Sequence, residues 1–240
     1  MLPRFAQSAA AIKLAIIFGP VISALDDLNM TMNISKNLIA LIVPLVGVLL
    51  LALLFRPLLK DVFLYAPQEG DIVFQSLPPN ELVAAISGIT NSPFSHCGLI
   101  QKVNDEWMVI ESLGDVHYTN LNQWMRRGAG AGVVVYRCAM NSDETVRVMK
   151  SASAMLGKKY DLRYDFDDEK IYCSELVYKA FDRGIGVKLG KIDKLGDLNW
   201  QPYEKTIVKF ENGPAPLARE MITPVAITRD GRLVKVFDSF

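Results

Sequence analysis

The sequence predicts an α+β fold: an antiparallel sheet with packed helices, preceded by an N-terminal membrane segment. Three observations carry this. After residue 60, short apolar runs are separated by turn signals such as Gly70-Asp71, Asn104-Asp105 and Asp230-Gly231. Stretches of helical periodicity lie before, among and after those runs, the order expected of α+β rather than of a regular repeat. Leu38 to Phe55 is uncharged and almost wholly aliphatic.

That aliphatic run divides the chain into residues 1–60, an N-terminal membrane part, and residues 61–240, a globular domain. As a helix, residues 38–55 would reach about 27 Å, close to the hydrocarbon thickness of a bilayer. Pro44 and Gly47 are tolerated in membrane helices. A buried soluble helix is the alternative, opposed by the length of the run and its lack of a polar face. Ala9 to Leu25 is apolar apart from Lys13 and Ser23, with Gly19-Pro20 interrupting it. It reads as a signal-peptide core ending at Ile22-Ser23-Ala24, a first membrane helix, or a surface helix. A hairpin of two membrane helices is the more economical arrangement. Two spans place Arg4, Arg56 and Lys60 on one side, and positive charge then puts the domain in the cytoplasm. With one span, Lys36 faces Arg56 and Lys60, and the membrane side stays open.

The elements of the domain follow in order. Asp71 to Gln75 is a first strand, broken by Pro78-Pro79. Asn80 caps a short helix through Gly88, with Leu82, Val83 and Ile86 at helical spacing. His96 to Val103 and Trp107 to Leu113 form a hairpin across Asn104-Asp105, with Val116 to Thr119 beyond. Gly132 to Cys138 is a further strand. Asp143 opens a helix to about Leu156, stopped by Gly157. Tyr172 or Cys173 to about Asp182 is the next helix, and Thr223 to Thr228 and Leu233 to Phe237 are strand candidates.

Half of the 240 residues are hydrophobic and the formal net charge is zero. Nothing in that balance points to nucleic acid, which requires a basic patch. Cys97, Cys138 and Cys173 match no zinc spacing, and no metal or other cofactor is expected.

Cys173 stands at the predicted start of a helix, where unpaired N–H groups and a partial positive charge favour thiolate. A thiolate attacks carbonyl carbons and needs a base. His96, at the entry of a buried strand, is the candidate; His117 is its competitor in a polar hairpin. Glu111, in the strand paired with that of His96, is the candidate to orient the imidazole, because a carboxylate in an apolar strand needs a partner. Asp115 is the fallback. Glu175 reads as a structural cap. Tyr160 is placed to donate to a developing oxyanion or to shape the pocket, beside the Cys173 backbone N–H. Asp165, Asp167, Asp168 and Glu169 lack the spacing of a calcium loop and read as a solvated loop.

Taken in order, Gly70-Asp71-Ile72-Val73-Phe74, Ser95-His96-Cys97-Gly98, Val109-Ile110-Glu111, Tyr160-Asp161 and Tyr172-Cys173-Ser174-Glu175-Leu176-Val177 resemble the YiiX-like permuted papain-like hydrolases. These belong to the NlpC-type superfamily of cysteine peptidases and amidases. The resemblance covers roughly residues 70–237 and implies a circularly permuted papain-like fold, with histidine before cysteine. It implies Cys173 as nucleophile, His96 as base and then acid, Glu111 as orienting residue, and Tyr160 lining the site. Cys97 departs from the pattern, where an aliphatic residue is expected; it should pack in much the same way. The N-terminal segment is similar to the tethers of the related lecithin:retinol acyltransferase-like enzymes, which act on lipids.

The expectation is a membrane-anchored thiol hydrolase that cleaves a peptide or peptidoglycan-type amide, or an acyl ester or thioester, through an acyl-enzyme. The rivals are a lipid acyltransferase or thioesterase at the bilayer and a non-catalytic tethered binding module. The expected partners are the bilayer and a peptide, peptidoglycan or acyl-lipid substrate, with no nucleic acid.

Overall fold

The structure is a computed structural model that describes residues 42–47 and 65–239. The chain divides into two units, Met1–Lys60 and Asp61–Phe240. In the first, residues 42–47 are helical. The rest of the expected span at 38–55, and all of 9–25, lies outside the described residues. Among the described residues no helix is long and apolar enough to cross a membrane.

The second unit is built on a six-stranded sheet in which every pairing is antiparallel. Its strands are β1 (Ile72–Gln75), β2 (His96–Val103), β3 (Glu106–Leu113), β4 (Asp115–Asn120), β5 (Val133–Cys138) and β8 (Leu233–Asp238). They lie in the order β4-β3-β2-β1-β5-β8. The helices are α1 (Glu81–Thr90), α2 (Leu121–Arg127), α3 (Ser142–Ser153), α4 (Cys173–Ile185), α5 (Glu204–Glu211) and α6 (Pro224–Thr228). A two-residue pair, β6 (Asp193–Lys194) with β7 (Glu220–Met221), stands apart. The fold class is α+β, as expected.

Side chains alternate across the strands and give the sheet two apolar faces. Ile72, Phe74, Cys97, Leu99 and Ile110 point to the face covered by α3 and α4. Val73, Ile100, Val109, Val133 and Val135 point to the other, where Leu121 and Trp124 of α2 cover them. Burial of β2 at both faces over its first five residues follows from this.

Local chemistry sets the helix ends. The side chain of Asn80 accepts from the Val83 N–H and starts α1. Asn141 and Glu144 form a reciprocal capping box at α3, so that helix begins at Ser142, one residue before the expected Asp143, and it ends at Ser153 rather than Leu156. Gly186, at φ +71°, ends α4 in the left-handed region that favours glycine. Close approach explains Gly98: a Cβ there would lie 2.6 Å from Val109 Cγ1 and 2.8 Å from the Ile110 carbonyl oxygen.

One element reverses its expected type. Thr223 to Thr228 is not a strand; Thr223 caps the Ala226 N–H and Pro224 takes the first turn of α6. Proline fits helix position N1, where its missing N–H costs nothing. The acidic loop is also not simply solvated. Asp168 pairs with Lys179 and Arg183, and Asp165 with Arg219.

Candidate functional site

Cys173 is the first residue of α4, after an extended Tyr172. The chain on both sides of it is tied down. The Ser112 hydroxyl donates to the Ile171 carbonyl at 2.5 Å. The Tyr172 hydroxyl accepts from the Ile222 N–H at 3.0 Å, and the Ser174 hydroxyl donates to the Ile222 carbonyl at 2.8 Å. Glu175 is the cap expected of it: its Oε2 accepts from the Tyr172 N–H at 3.2 Å, and its Oε1 lies 2.6 Å from Lys179 Nζ. Burial nevertheless raises Glu175 to about 7, against those two partners. The Cys173 sulfur is thus held at a helix N-terminus, on the face of the sheet covered by α3 and α4.

His96 opens β2 opposite Gln75, the last residue of β1. It is 1% exposed and stacks on the Trp124 ring, with centroids 6.0 Å apart. Its Nε2 lies 2.5 Å from Glu111 Oε2. Nδ1 is therefore the ring nitrogen left for the hydrogen bond that His96 makes with the Cys173 side chain.

Glu111 has no exposed surface and is the most heavily bonded carboxylate of the site. Besides His96, it accepts from Thr119 Oγ1 at 2.5 Å, Trp124 Nε1 at 3.0 Å, and Arg127 Nη1 and Nη2 at 3.0 and 2.5 Å. Burial opposes its charge, but the bonds from His96 and Arg127 hold the carboxyl well below the ordinary carboxylate range. His117 is half-exposed. It takes Asp115 through Nδ1 and stands 3.6 Å from Glu111 Oε1 through Nε2. Asp115 is engaged by His117 and Lys159, on the rim.

The electrostatics run in one direction. The Cys173 thiol is pulled well below its ordinary value, first by a side-chain hydrogen bond from Cys97, then, against burial, by the hydrogen bond and charge of His96 and by the Cys97 backbone N–H. Burial disfavours charge on His96, but its bonds to Cys173 and Glu111 raise it to about 9. The arrangement favours a thiolate–imidazolium pair, the reactive form of a nucleophilic cysteine.

The structure brings Cys173, His96 and Glu111 together and places Tyr160 beside them. The Tyr160 hydroxyl meets the Tyr164 hydroxyl at 3.1 Å, and the Tyr164 ring packs on Tyr172 at 4.9 Å. The sequence points to no partner for the Glu111 carboxylate beyond His96. Thr119, Trp124 and Arg127 come from β4 and α2, and their one advance signal is the requirement that a buried carboxylate be paired.

On the other side of Cys173 lies an apolar slot. Leu82, Ile86 and Ile89 of α1 and Ile207 and Phe210 of α5 supply its walls, and Cys173, Ser174 and Ser95 lie in its lining. Those helices are held together at their polar edge, where Lys209 Nζ meets Glu81 Oε2 at 2.5 Å.

A family model for permuted papain-like amidase enzymes, the YaeF/YiiX, C92 family, matches residues 66–237. The uncharacterized protein YiiX of Escherichia coli (strain K12) is 32% identical over 181 residues, which span 73% of this chain and 89% of that protein. The crystal structure of the metalloprotein yiiX from Escherichia coli O157:H7 superposes with a TM-score of 0.70 at 29% identity, over 73% of this chain and 99% of that one.

Proposed function

This chain belongs to the permuted papain-like amidase family, and from that premise we propose that it is a membrane-tethered thiol hydrolase using Cys173 as nucleophile, His96 as base and acid, and Glu111 as orienting residue. One observation carries the reading: a cysteine at a helix N-terminus hydrogen-bonded to a histidine whose other nitrogen is held by a buried carboxylate. The Cys173 thiolate adds to the carbonyl carbon. His96 gives its proton to the leaving amine or alcohol, leaving a thioester on Cys173. Water then attacks, His96 takes its proton, and the acid departs with the thiolate restored. The Cys173 N–H, with no helical partner in the first turn, faces the developing oxyanion. Tyr160 supports the wall of the site through Tyr164 and is not assigned a proton.

The slot beside Cys173 favours an apolar acyl group on the carbonyl side of the scissile bond over a polar peptidoglycan strand. Apolar walls with few polar groups recognise aliphatic chains by burial, at about 25 cal/mol per Å². An acyl amide or ester presented at a bilayer fits that wall chemistry. It also fits the membrane span proposed for residues 38–55, which would keep the domain at the surface where such substrates lie.

The relative from Escherichia coli O157:H7 is called a metalloprotein. Among the described residues of this chain no group of three or more His, Cys, Asp or Glu side chains is placed to hold a metal ion, and no step above runs through one.

The test is turnover by the full chain in detergent, with fatty-acyl amides and esters of increasing chain length. Cys173→Ala should abolish hydrolysis, and carbonate washing should leave the natural chain in the membrane fraction. Activity undiminished in Cys173→Ala would end the thiol reading.

A further inference from the structure

We propose that the acidic pocket lined by Asp161, Arg163, Asp165, Asp167, Glu169 and Lys170 is a binding site for an ammonium group. The pocket is built from the loop that leads to Cys173. The Ile171 N–H donates to the Lys159 carbonyl at 2.9 Å, so residues 160–170 close on themselves just ahead of α4. Within that loop the segment 161–165 is a partition. Leu162 and Tyr164 line the apolar slot together with Cys173, Asp161 and Asp165 line the acidic pocket, and Arg163 lines both.

Most carboxylates of this loop have their partners. Asp165 pairs with Arg219 at 3.0 Å. Asp168, outside the pocket lining, pairs with Lys179 and Arg183. Asp167 accepts from the Glu169 N–H at 2.8 Å. Asp161 is different, because it is only 4% exposed. Its Oδ1 accepts from the Arg163 N–H at 2.9 Å, while its Oδ2 is buried with no donor among the described residues. A buried carboxylate oxygen left unpaired is costly, and native structures answer it with a donor or a cation. Burial, reinforced by the negative charges of Asp165 and Asp167, raises the Asp161 carboxyl against the backbone N–H groups that hold it. Acids outnumber bases in the lining, so the local field attracts positive charge.

The class of cation follows from the acceptors. A metal ion of the calcium or magnesium type needs several oxygens converging at about 2.0–2.6 Å. Among the described residues no three His, Cys, Asp or Glu groups are placed to provide them. A guanidinium pairs best with both oxygens of one carboxylate, and Asp161 has one oxygen already engaged. An ammonium is a compact charge whose donors reach separate acceptors at about 2.7–2.9 Å. Asp161 Oδ2 is the buried acceptor, and the exposed Asp167 and Glu169 stand towards solvent. Two sources supply such a group: a free amine, or the leaving side of an acyl amide whose chain fills the slot across the partition. The second source rests on the reading of Cys173 as nucleophile; the site itself does not.

The experiment uses the full Cys173→Ala chain in detergent, so that turnover plays no part. Its melting temperature is read in ethylamine hydrochloride, in sodium chloride of equal ionic strength, and in calcium and magnesium chloride. The expected result is a rise of about 2 °C with ethylamine over sodium chloride, lost when Asp161→Asn is added. Circular dichroism establishes that this double variant is folded; if it is not, Glu169→Gln, at an exposed position, takes its place and should reduce the rise. No rise with ethylamine, or a rise undiminished in the folded variant, overturns the proposal. A rise with calcium or magnesium and none with ethylamine gives the pocket to a metal and overturns it as well. A second arm identifies the source. The natural chain is offered N-(2-aminoethyl)decanamide and N-propyldecanamide, which are nearly equal in size and differ by one charge. A kcat/KM about tenfold higher for the charged amide puts the ammonium on the substrate. Equal values beside an ethylamine response give the site to a free amine. Hydrolysis of neither amide, with the ethylamine response intact, fails the thiol reading and leaves the pocket standing.

Discussion

The sheet carries two buried carboxylate clusters, at opposite ends of β1, and they are built almost alike. Asp71 and Glu111 are both fully buried. Each is gripped by an arginine through two nitrogens, Arg137 for Asp71 and Arg127 for Glu111. Each takes an aromatic donor, Tyr65 at 2.8 Å for Asp71 and Trp124 at 3.0 Å for Glu111. What separates them, beyond the Thr119 hydroxyl on Glu111, is the last partner. Asp71 takes the Gln68 N–H, which closes a turn, whereas Glu111 takes His96, whose other nitrogen serves Cys173. A buried, arginine-paired carboxylate is therefore not a site in itself. It becomes part of one when it fixes an imidazole and that imidazole touches a nucleophile.

The comparison is sharpened most by His96 and Tyr65, the members that differ in chemistry. His96→Ala should lower kcat/KM for any acyl substrate by about 10²- to 10⁴-fold, the usual worth of a general base. Tyr65→Phe should leave kcat/KM unchanged and cost about 1 kcal/mol in urea unfolding. Equal losses of activity in the two variants would break the distinction.

The carboxylates come next. Glu111→Gln and Asp71→Asn should each destabilise the domain by about 3 kcal/mol, because each leaves a partly buried arginine without its charge. Only Glu111→Gln should also slow turnover, by about 100-fold, since only it frees the imidazole. The Glu111 contribution has a definite pH sense. Its folded value lies below the ordinary 4.5, so its stabilisation is complete above that pH and is lost as pH falls below it. Acid unfolding of Glu111→Gln should therefore be less steep than that of the natural chain.

A smaller effect is expected in the pH profile. His96 stays cationic up to about 9 and is needed in that form to protonate the leaving group. The rate should hold through neutrality and fall as pH rises through about 9, with Asp71→Asn leaving that limb in place. The least effect belongs to the slot: Ile86→Trp should reduce kcat/KM for long-chain substrates by about tenfold and spare acetyl ones. Uniform loss across chain lengths would separate the slot from the acyl group.

Much of this was legible in the sequence because its signals are local. The strand at His96–Val103 is found at its expected bounds, since apolar run, turn and partner strand are all adjacent. Asn80 caps α1 as its side chain predicts, though the helix continues to Thr90. Cys173 starts α4 for the same kind of reason. Thr223–Thr228 misled because its apolar and β-branched content reads as strand, while the Thr223 cap and Pro224 decide for helix. Arg127 and Trp124 stayed hidden because they reach Glu111 through tertiary folding of α2 under the sheet, which no spacing records. The apolar slot needs α1 and α5, more than a hundred residues apart in the chain, and no motif announces it.

The central claim is that Cys173 carries the acyl group in turn. The most direct measurement is mass spectrometry of the full chain quenched in acid during turnover of p-nitrophenyl decanoate. The expected result is a transient decanoyl adduct on the Cys173 peptide, discharged by hydroxylamine and lost in Cys173→Ala together with turnover. Turnover with no adduct at Cys173, persisting in Cys173→Ala, would contradict it.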